Sequence, residues 1–105
     1  MSVSTHVLDS VLGQPAVGIE VLLFAGDEVL AEGVTDQDGR CRLTEQPTAA
    51  GPHRLVFATG AWFAEQGREA FYPEVTLTFS VTEPADHHHV PLLLAPFAYS
   101  TYRGS

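Results

Sequence analysis

Apolar and polar residues alternate along most of this chain, and turn residues break the rhythm at intervals of about 8–12 positions. The cleanest stretch is Glu74 to Val81. There Val75, Leu77, Phe79 and Val81 point one way, and Glu74, Thr76, Thr78 and Ser80 the other. A period of two is the signature of a strand with one buried face, because successive side chains leave a strand on opposite sides. The same rhythm runs through 3–9, where Ser4 and His6 share one face and Val3, Thr5 and Val7 the other. It returns in 17–24, with Val17, Ile19, Val21 and Leu23 inward, and again in 28–35, 40–43, 53–58, 87–94 and from 97 onward. Arg40 and Arg42 fall on one face of their strand, and His87 and His89 on one face of theirs, opposite His88.

Each such strand must cover its apolar face with a second layer. Eight short strands therefore predict an all-β, two-sheet sandwich. Turn chemistry separates them: Asp9 to Pro15, Gly26-Asp27, Asp36-Gln37-Asp38-Gly39, a polar loop from Thr44 to Pro52, Glu83 to Asp86, and Ala95-Pro96. Only 59–69 departs from period two. Thr59 or Gly60 is expected to cap one short helix over 61–66, ended by Gly67, between the fifth and sixth strands. Trp62 and Phe63 would staple it to a sheet. Pro91 has no N–H for a ladder and is expected at a sheet edge or a bulge.

The whole chain, residues 1–105, reads as a single domain without a linker or repeat. A formal net charge of −8 speaks against nucleic-acid and anionic-membrane partners, which need a basic surface. It leaves room for a small ligand held by one or two arginines. All five basic residues are arginine, so lysine Schiff-base chemistry is excluded. The lone cysteine, Cys41, forms no intrachain disulfide and reads as a small strand residue. No apolar run reaches the length of about 20 residues that a membrane span needs. No signal peptide is visible, so a cytoplasmic location is expected, although a processed precursor would look the same.

Three adjacent histidines, His87-His88-His89, are more than apolar burial requires. They read as a solvated loop end, as a metal site or as an acid/base group. The metal reading is weak: neighbours on a strand point apart, and His87 with His89 is an incomplete ligand set. No metal and no cofactor is expected. His6 and Tyr102 are by default strand and packing residues. Arg40 opens a strand after a tight turn, where its guanidinium fork would suit a planar ligand rich in oxygen and nitrogen.

Three stretches resemble the 5-hydroxyisourate hydrolase family, the transthyretin-related proteins of urate breakdown. They are Ser4-Thr5-His6-Val7-Leu8-Asp9 with Gly13-Gln14-Pro15-Ala16; Thr35-Asp36-Gln37-Asp38-Gly39-Arg40; and His87 to Leu94 with Tyr99-Ser100-Thr101-Tyr102-Arg103-Gly104-Ser105. The closing Tyr102-Arg103-Gly104-Ser105 is the most specific, because it separates the hydrolases from hormone-carrying transthyretins. His88 departs from the tyrosine expected there. The resemblance implies an eight-strand transthyretin-like sandwich and a homotetramer, a dimer of dimers around a central channel, whose sixth and eighth strands pair between subunits. It implies hydrolysis of 5-hydroxyisourate to 2-oxo-4-hydroxy-4-carboxy-5-ureidoimidazoline by metal-independent histidine acid/base catalysis. His6, His89 and Arg40 would be catalytic. His6, Arg40, Tyr102 and Ser105 would hold the substrate, with Tyr102 at the channel. A transthyretin-like carrier of an aromatic ligand is the rival, and a purely structural sandwich is a third reading.

Overall fold

The computed structural model describes residues 2–44 and 49–105. The strands are β1 (Ser2–Asp9), β2 (Gln14–Pro15), β3 (Glu20–Ala25), β4 (Glu28–Val34), β5 (Arg40–Thr44), β6 (Gly51–Phe57), β7 (Val75–Val81), β8 (His87–Ala95) and β9 (Ala98–Thr101). One helix, α1 (Thr59–Glu65), lies between β6 and β7. One sheet runs β2-β1-β8-β9, with β5 also paired to β1, and the other runs β4-β3-β6-β7. The expected two-sheet sandwich with one short helix is therefore the observed fold. Part of the loop expected over 44–52 lies outside the described residues.

The alternation explains the layers. Val3, Val7, Val90, Leu92 and Leu94 of the first sheet are buried, as are Val21, Leu23, Leu55, Phe57, Val75 and Val81 of the second. Burying one such side chain contributes roughly 1.5–3 kcal/mol, so the inner faces hold the sheets together. Phe63 of α1 is buried in the same core, and the Trp62 indole donates to the Val17 carbonyl at 2.7 Å. These two residues are the expected staple.

Several details differ from the sequence expectation. Val17 is exposed and precedes its strand, which starts at Glu20. Gln14 and Pro15, expected as turn, pair with Asp9 and Leu8. Neither Thr59 nor Gly60 caps α1; the cap position is Ala58, without a side-chain bond. Thr59 faces the interior instead, its hydroxyl without a partner.

Pro91 is at neither a sheet edge nor a bulge, because β8 lies between β1 and β9. The Pro91 carbonyl accepts from the Thr101 hydroxyl, which places Pro91's backbone on the β9 side. The β8–β9 ladder ends at Leu92 and Thr101. The missing N–H thus falls just past the last ladder pair, where it costs least.

At the far end of β1, Asp9 is 1% exposed and pairs with Arg68 at 2.7 Å. Its other oxygen accepts from the Val11 and Leu12 N–H groups. Burial alone would raise the Asp9 carboxyl. The bond from Arg68, the two backbone donors and the guanidinium charge outweigh it and hold the group below its usual value. Arg68 also lies over Phe63, tying α1's exit to β1. Asp9→Ala should cost about 2–3 kcal/mol in urea unfolding at pH 7, the scale of a hydrogen bond to a buried charge. The Asp9 carboxyl is more acidic folded than unfolded. Its contribution is therefore full above the unfolded value and lost as pH falls through the folded one. The difference between parent and Asp9→Ala should accordingly shrink below about pH 4.

Candidate functional site

The site forms on the outer face of the first sheet. Strand β1 pairs antiparallel with β5, placing His6 opposite Arg40 and Ser4 opposite Arg42. On its other side β1 runs parallel to β8, placing His6 opposite Pro91 and Ser4 opposite His89. The Gly104 N–H donates to the His89 carbonyl at 2.9 Å, continuing the register that pairs Leu92 with Thr101. In that register Tyr102 falls opposite Pro91. Two rows cross the sheet: Arg40, His6, Pro91, Tyr102, and Arg42, Ser4, His89, Gly104.

His6 and His89 sit in neighbouring rows on adjacent strands, a diagonal separation of about 7–8 Å between backbones. Both project from the same face, His6 and His89 each half-buried and Arg40 exposed. Tyr102 and Ser105 are exposed at the border of this surface. The structure therefore brings His6, Arg40 and His89 together. Tyr102 stands at the end of the His6 row, and Ser105 follows the glycine beside His89. His87 stacks on His89 with ring centres 6.2 Å apart, while His88 points inward against Phe79.

Local chemistry sets each side chain. The Asp36 carboxylate accepts from the N–H groups of Asp38 and Arg40, both at 2.9 Å. Those bonds, that of Arg40 foremost, hold the Asp36 carboxyl below its usual value. Gly39 closes this turn at φ +76°, and a Cβ there would lie 2.3 Å from the Val7 carbonyl oxygen. The turn therefore docks on β1 and presents the Asp38 carbonyl to His6. His6 Nε2 meets that carbonyl at 2.8 Å. A carbonyl only accepts, so Nε2 carries the proton and Nδ1 of the neutral ring is bare. His89 Nδ1 lies 2.8 Å from the Ser4 hydroxyl. Gly104 packs flat on the His89 ring, with no room for a Cβ, which would sit 2.4 Å from Cδ2.

Burial lowers the His89 imidazole below its ordinary 6.5, and the charges of Arg40, His87 and His6 lower it further; a hydrogen bond to the Ser4 backbone works the other way. The ring is thus a neutral, proton-accepting group at pH 7. Among the described residues no three His, Cys, Asp or Glu side chains are grouped as ligands for a metal ion. A cleft of about 420 Å³ opens nearby, between β7 and the β8–β9 end of the other sheet, with His89, Tyr102 and Arg103 on its wall. Neither His6 nor Arg40 borders it, so it lies beside the imidazoles and not between them.

Ser4 is the residue that sequence reasoning passed over. Its parity with His6 was visible, but its contact with His89 depends on the β1–β8 register. Asp36 and Gly104 likewise act through neighbours brought up by the fold. An NMR titration should place the His89 midpoint below that of an unperturbed histidine. Arg40→Met removes a positive charge that opposes the imidazolium, so the midpoint should then rise; no change would mean that Arg40 does not act on this ring.

The HIUase/Transthyretin family profile matches residues 3–104. A 5-hydroxyisourate hydrolase of Salmonella dublin is 43% identical over 108 residues, covering 97% of this chain and 79% of that protein. The mouse 5-hydroxyisourate hydrolase is 40% identical, covering 97% of this chain and 93% of that protein. The structure of Klebsiella pneumoniae 5-hydroxyisourate hydrolase superposes with a TM-score of 0.93 at 42% identity, each chain fully covered. Sea bream transthyretin, solved in complex with thyroxine, gives a TM-score of 0.87 at 32% identity, over 97% of this chain and 93% of that one. From its first strand to its closing tetrapeptide, this chain belongs to the HIUase/Transthyretin family.

Proposed function

We propose that this chain is an enzyme that hydrolyses 5-hydroxyisourate to 2-oxo-4-hydroxy-4-carboxy-5-ureidoimidazoline in urate degradation. The observation that carries this reading is the convergence of His6, Arg40 and His89 on one open face. Hydrolase relatives at 40–43% identity over nearly the whole chain support it.

The substrate is a flat, oxygen-rich bicycle, and the reaction opens its six-membered ring at an amide bond. His89 is the general base, because burial and the surrounding cations keep its imidazole neutral and able to take a proton from water. Water attacks the ring carbonyl, a C–O bond forms, and the developing oxyanion faces the Arg40 guanidinium. His6, fixed by the Asp38 carbonyl, orients the substrate. The C–N bond then breaks, and the proton held by His89 passes to the departing ring nitrogen. Tyr102 and Ser105 line the substrate's outer edge.

The site is completed in a homotetramer. Both β7 and β9 are terminal strands in their sheets, and every residue of β9 is exposed. Phe71, Phe97 and Tyr99 are exposed next to these edges. Unpaired edges flanked by aromatic surface favour pairing with a second copy. The buried thiol of Cys41 fits a reducing compartment, and we place the enzyme in the cytoplasm. Among the described residues no helix is long and apolar enough to cross a membrane.

An absorbance assay on freshly made 5-hydroxyisourate should show rapid loss with the parent chain. His6→Asn and His89→Asn, made separately, should each lower kcat/KM by about 10²–10⁴-fold. Parent-like rates in both variants would rule the mechanism out. Tight binding of a thyroxine-like ligand with no hydrolysis would favour a carrier. Light scattering should give a mass of about four times the 11.3 kDa chain.

A further inference from the structure

Resting on the hydrolase reading, we infer that Ser4 and His87 form a hydrogen-bonded relay that decides which nitrogen of His89 carries the proton. Ser4 is thereby a positioning residue, and His87 is the outer end of the relay.

The geometry is a chain of four side chains. His89 Nδ1 lies 2.8 Å from Ser4 Oγ, and Ser4 Oγ lies 3.2 Å from His87 Nε2. His87 Nδ1 in turn contacts the Ser2 hydroxyl. The chain exists because β1 and β8 run parallel in register, Ser2 opposite His87 and Ser4 opposite His89. Period two then puts all four side chains on one face.

A serine hydroxyl has one proton and accepts elsewhere, so its two imidazole contacts cannot both be donations. Two arrangements pass a proton through Ser4, one imidazole donating to its hydroxyl and the hydroxyl donating to the other. In the first, His89 Nδ1–H donates to Ser4, Ser4 O–H donates to His87 Nε2, and His87 Nδ1–H donates to Ser2. His89 Nε2 is then bare and is a base. In the second, His87 is doubly protonated and donates from Nε2 to Ser4, Ser4 O–H donates to His89 Nδ1, and His89 carries its proton on Nε2 and is an acid. Hydrolysis needs the two in that order. As His89 Nε2 takes the proton of water, its Nδ1 proton moves to Ser4 and the Ser4 proton moves to His87 Nε2. The added positive charge then resides on His87. When the ring nitrogen takes the Nε2 proton, both shifts run back. No proton is gained or lost over the cycle.

Electrostatics favour this outward displacement. Arg40 from β5 and His6 from β1 act on His89 directly, and His87 stacks on it from the same strand. Arg42 stands opposite Ser4, and Arg103 precedes the glycine packed on the His89 ring. The acids on these elements are Asp86, adjacent to His87, and Asp36 and Asp38 of the turn that carries Arg40, Asp36 acting on Arg40 and His6 and Asp38 bonded to His6 through its carbonyl. His87 is exposed while His89 is half-buried, so a positive charge is better hydrated on His87.

The test reads the proton position without substrate. Nitrogen NMR of the full chain labelled at histidine should show His89 protonated at Nδ1 and bare at Nε2. Ser4→Ala and His87→Asn should each move it toward the Nε2–H form. His89 nitrogen shifts unchanged in both variants would overturn the relay, whether or not the chain turns over any substrate. In the kinetic arm each variant should lose about tenfold in kcat, part of the 10²–10⁴ available to acid/base catalysis, with KM nearly constant. The Ser4→Ala/His87→Asn double variant should be no slower than Ser4→Ala, and Ser4→Thr should recover most of the rate. Losses that multiply in the double variant, or that appear only in KM, would overturn it. His87 is exposed, so His87→Asn keeps the test open if Ser4→Ala folds poorly. No turnover in the parent would sink the hydrolase reading alone and leave the NMR result standing.

Discussion

The parallel pairing of β1 with β8 is the contact on which the molecule depends. It joins Ser2–Asp9 to His87–Leu94 position by position, so the ends of the chain lie side by side at the centre of one sheet. On the inner face it buries Val3 and Val7 beside Val90, Leu92 and Leu94. The buried Thr5 hydroxyl donates to the Val90 carbonyl at 2.6 Å, holding the register from inside. On the outer face the same register sets Ser4 against His89. Core and chemistry are two faces of one ladder. A slip by one residue would turn the imidazoles inward and expose the valines.

Around that ladder, the Asp36 turn supplies the third component. The carboxylate gathers two backbone N–H groups, Gly39 fits under the Val7 carbonyl, and the turn delivers both Arg40 and the Asp38 carbonyl to His6. A protein of net charge −8 thereby sets the positive charge of Arg40 beside the imidazoles on one patch. The overall charge bears on solubility and bulk partners, whereas binding and pKa values follow the local field. Backbone-anchored groups also need little rearrangement during reaction, which is the condition for electrostatic stabilisation of a developing charge.

The opposite end of β1 is secured by different means. Asp9 is buried yet charged because Arg68 and two backbone donors surround it, and Arg68 lies over Phe63 of the helix. The helix is thus pinned to the end of the strand that bears His6, away from the imidazoles. Rigidity at one end and an open, polar face at the other suit a site that admits a small ligand without a large closing motion.

Alternation in the sequence was enough for the sandwich, the helix position and the faces of His6, His87, His88 and His89, because strand parity is a local property of the backbone. Resemblance in three motifs pointed to His6, Arg40 and His89 without saying how they meet. Parity could not foresee that Val17 precedes its strand, that Pro91 sits at a ladder's end inside a sheet, or that Ser4 bridges two imidazoles. Those features depend on which strands are neighbours and in what register, which is set by packing between segments distant in sequence. Tertiary structure alone decided them, since the hydrogen bonds and contacts that select one pairing over another exist only once the two ends of the chain have come together.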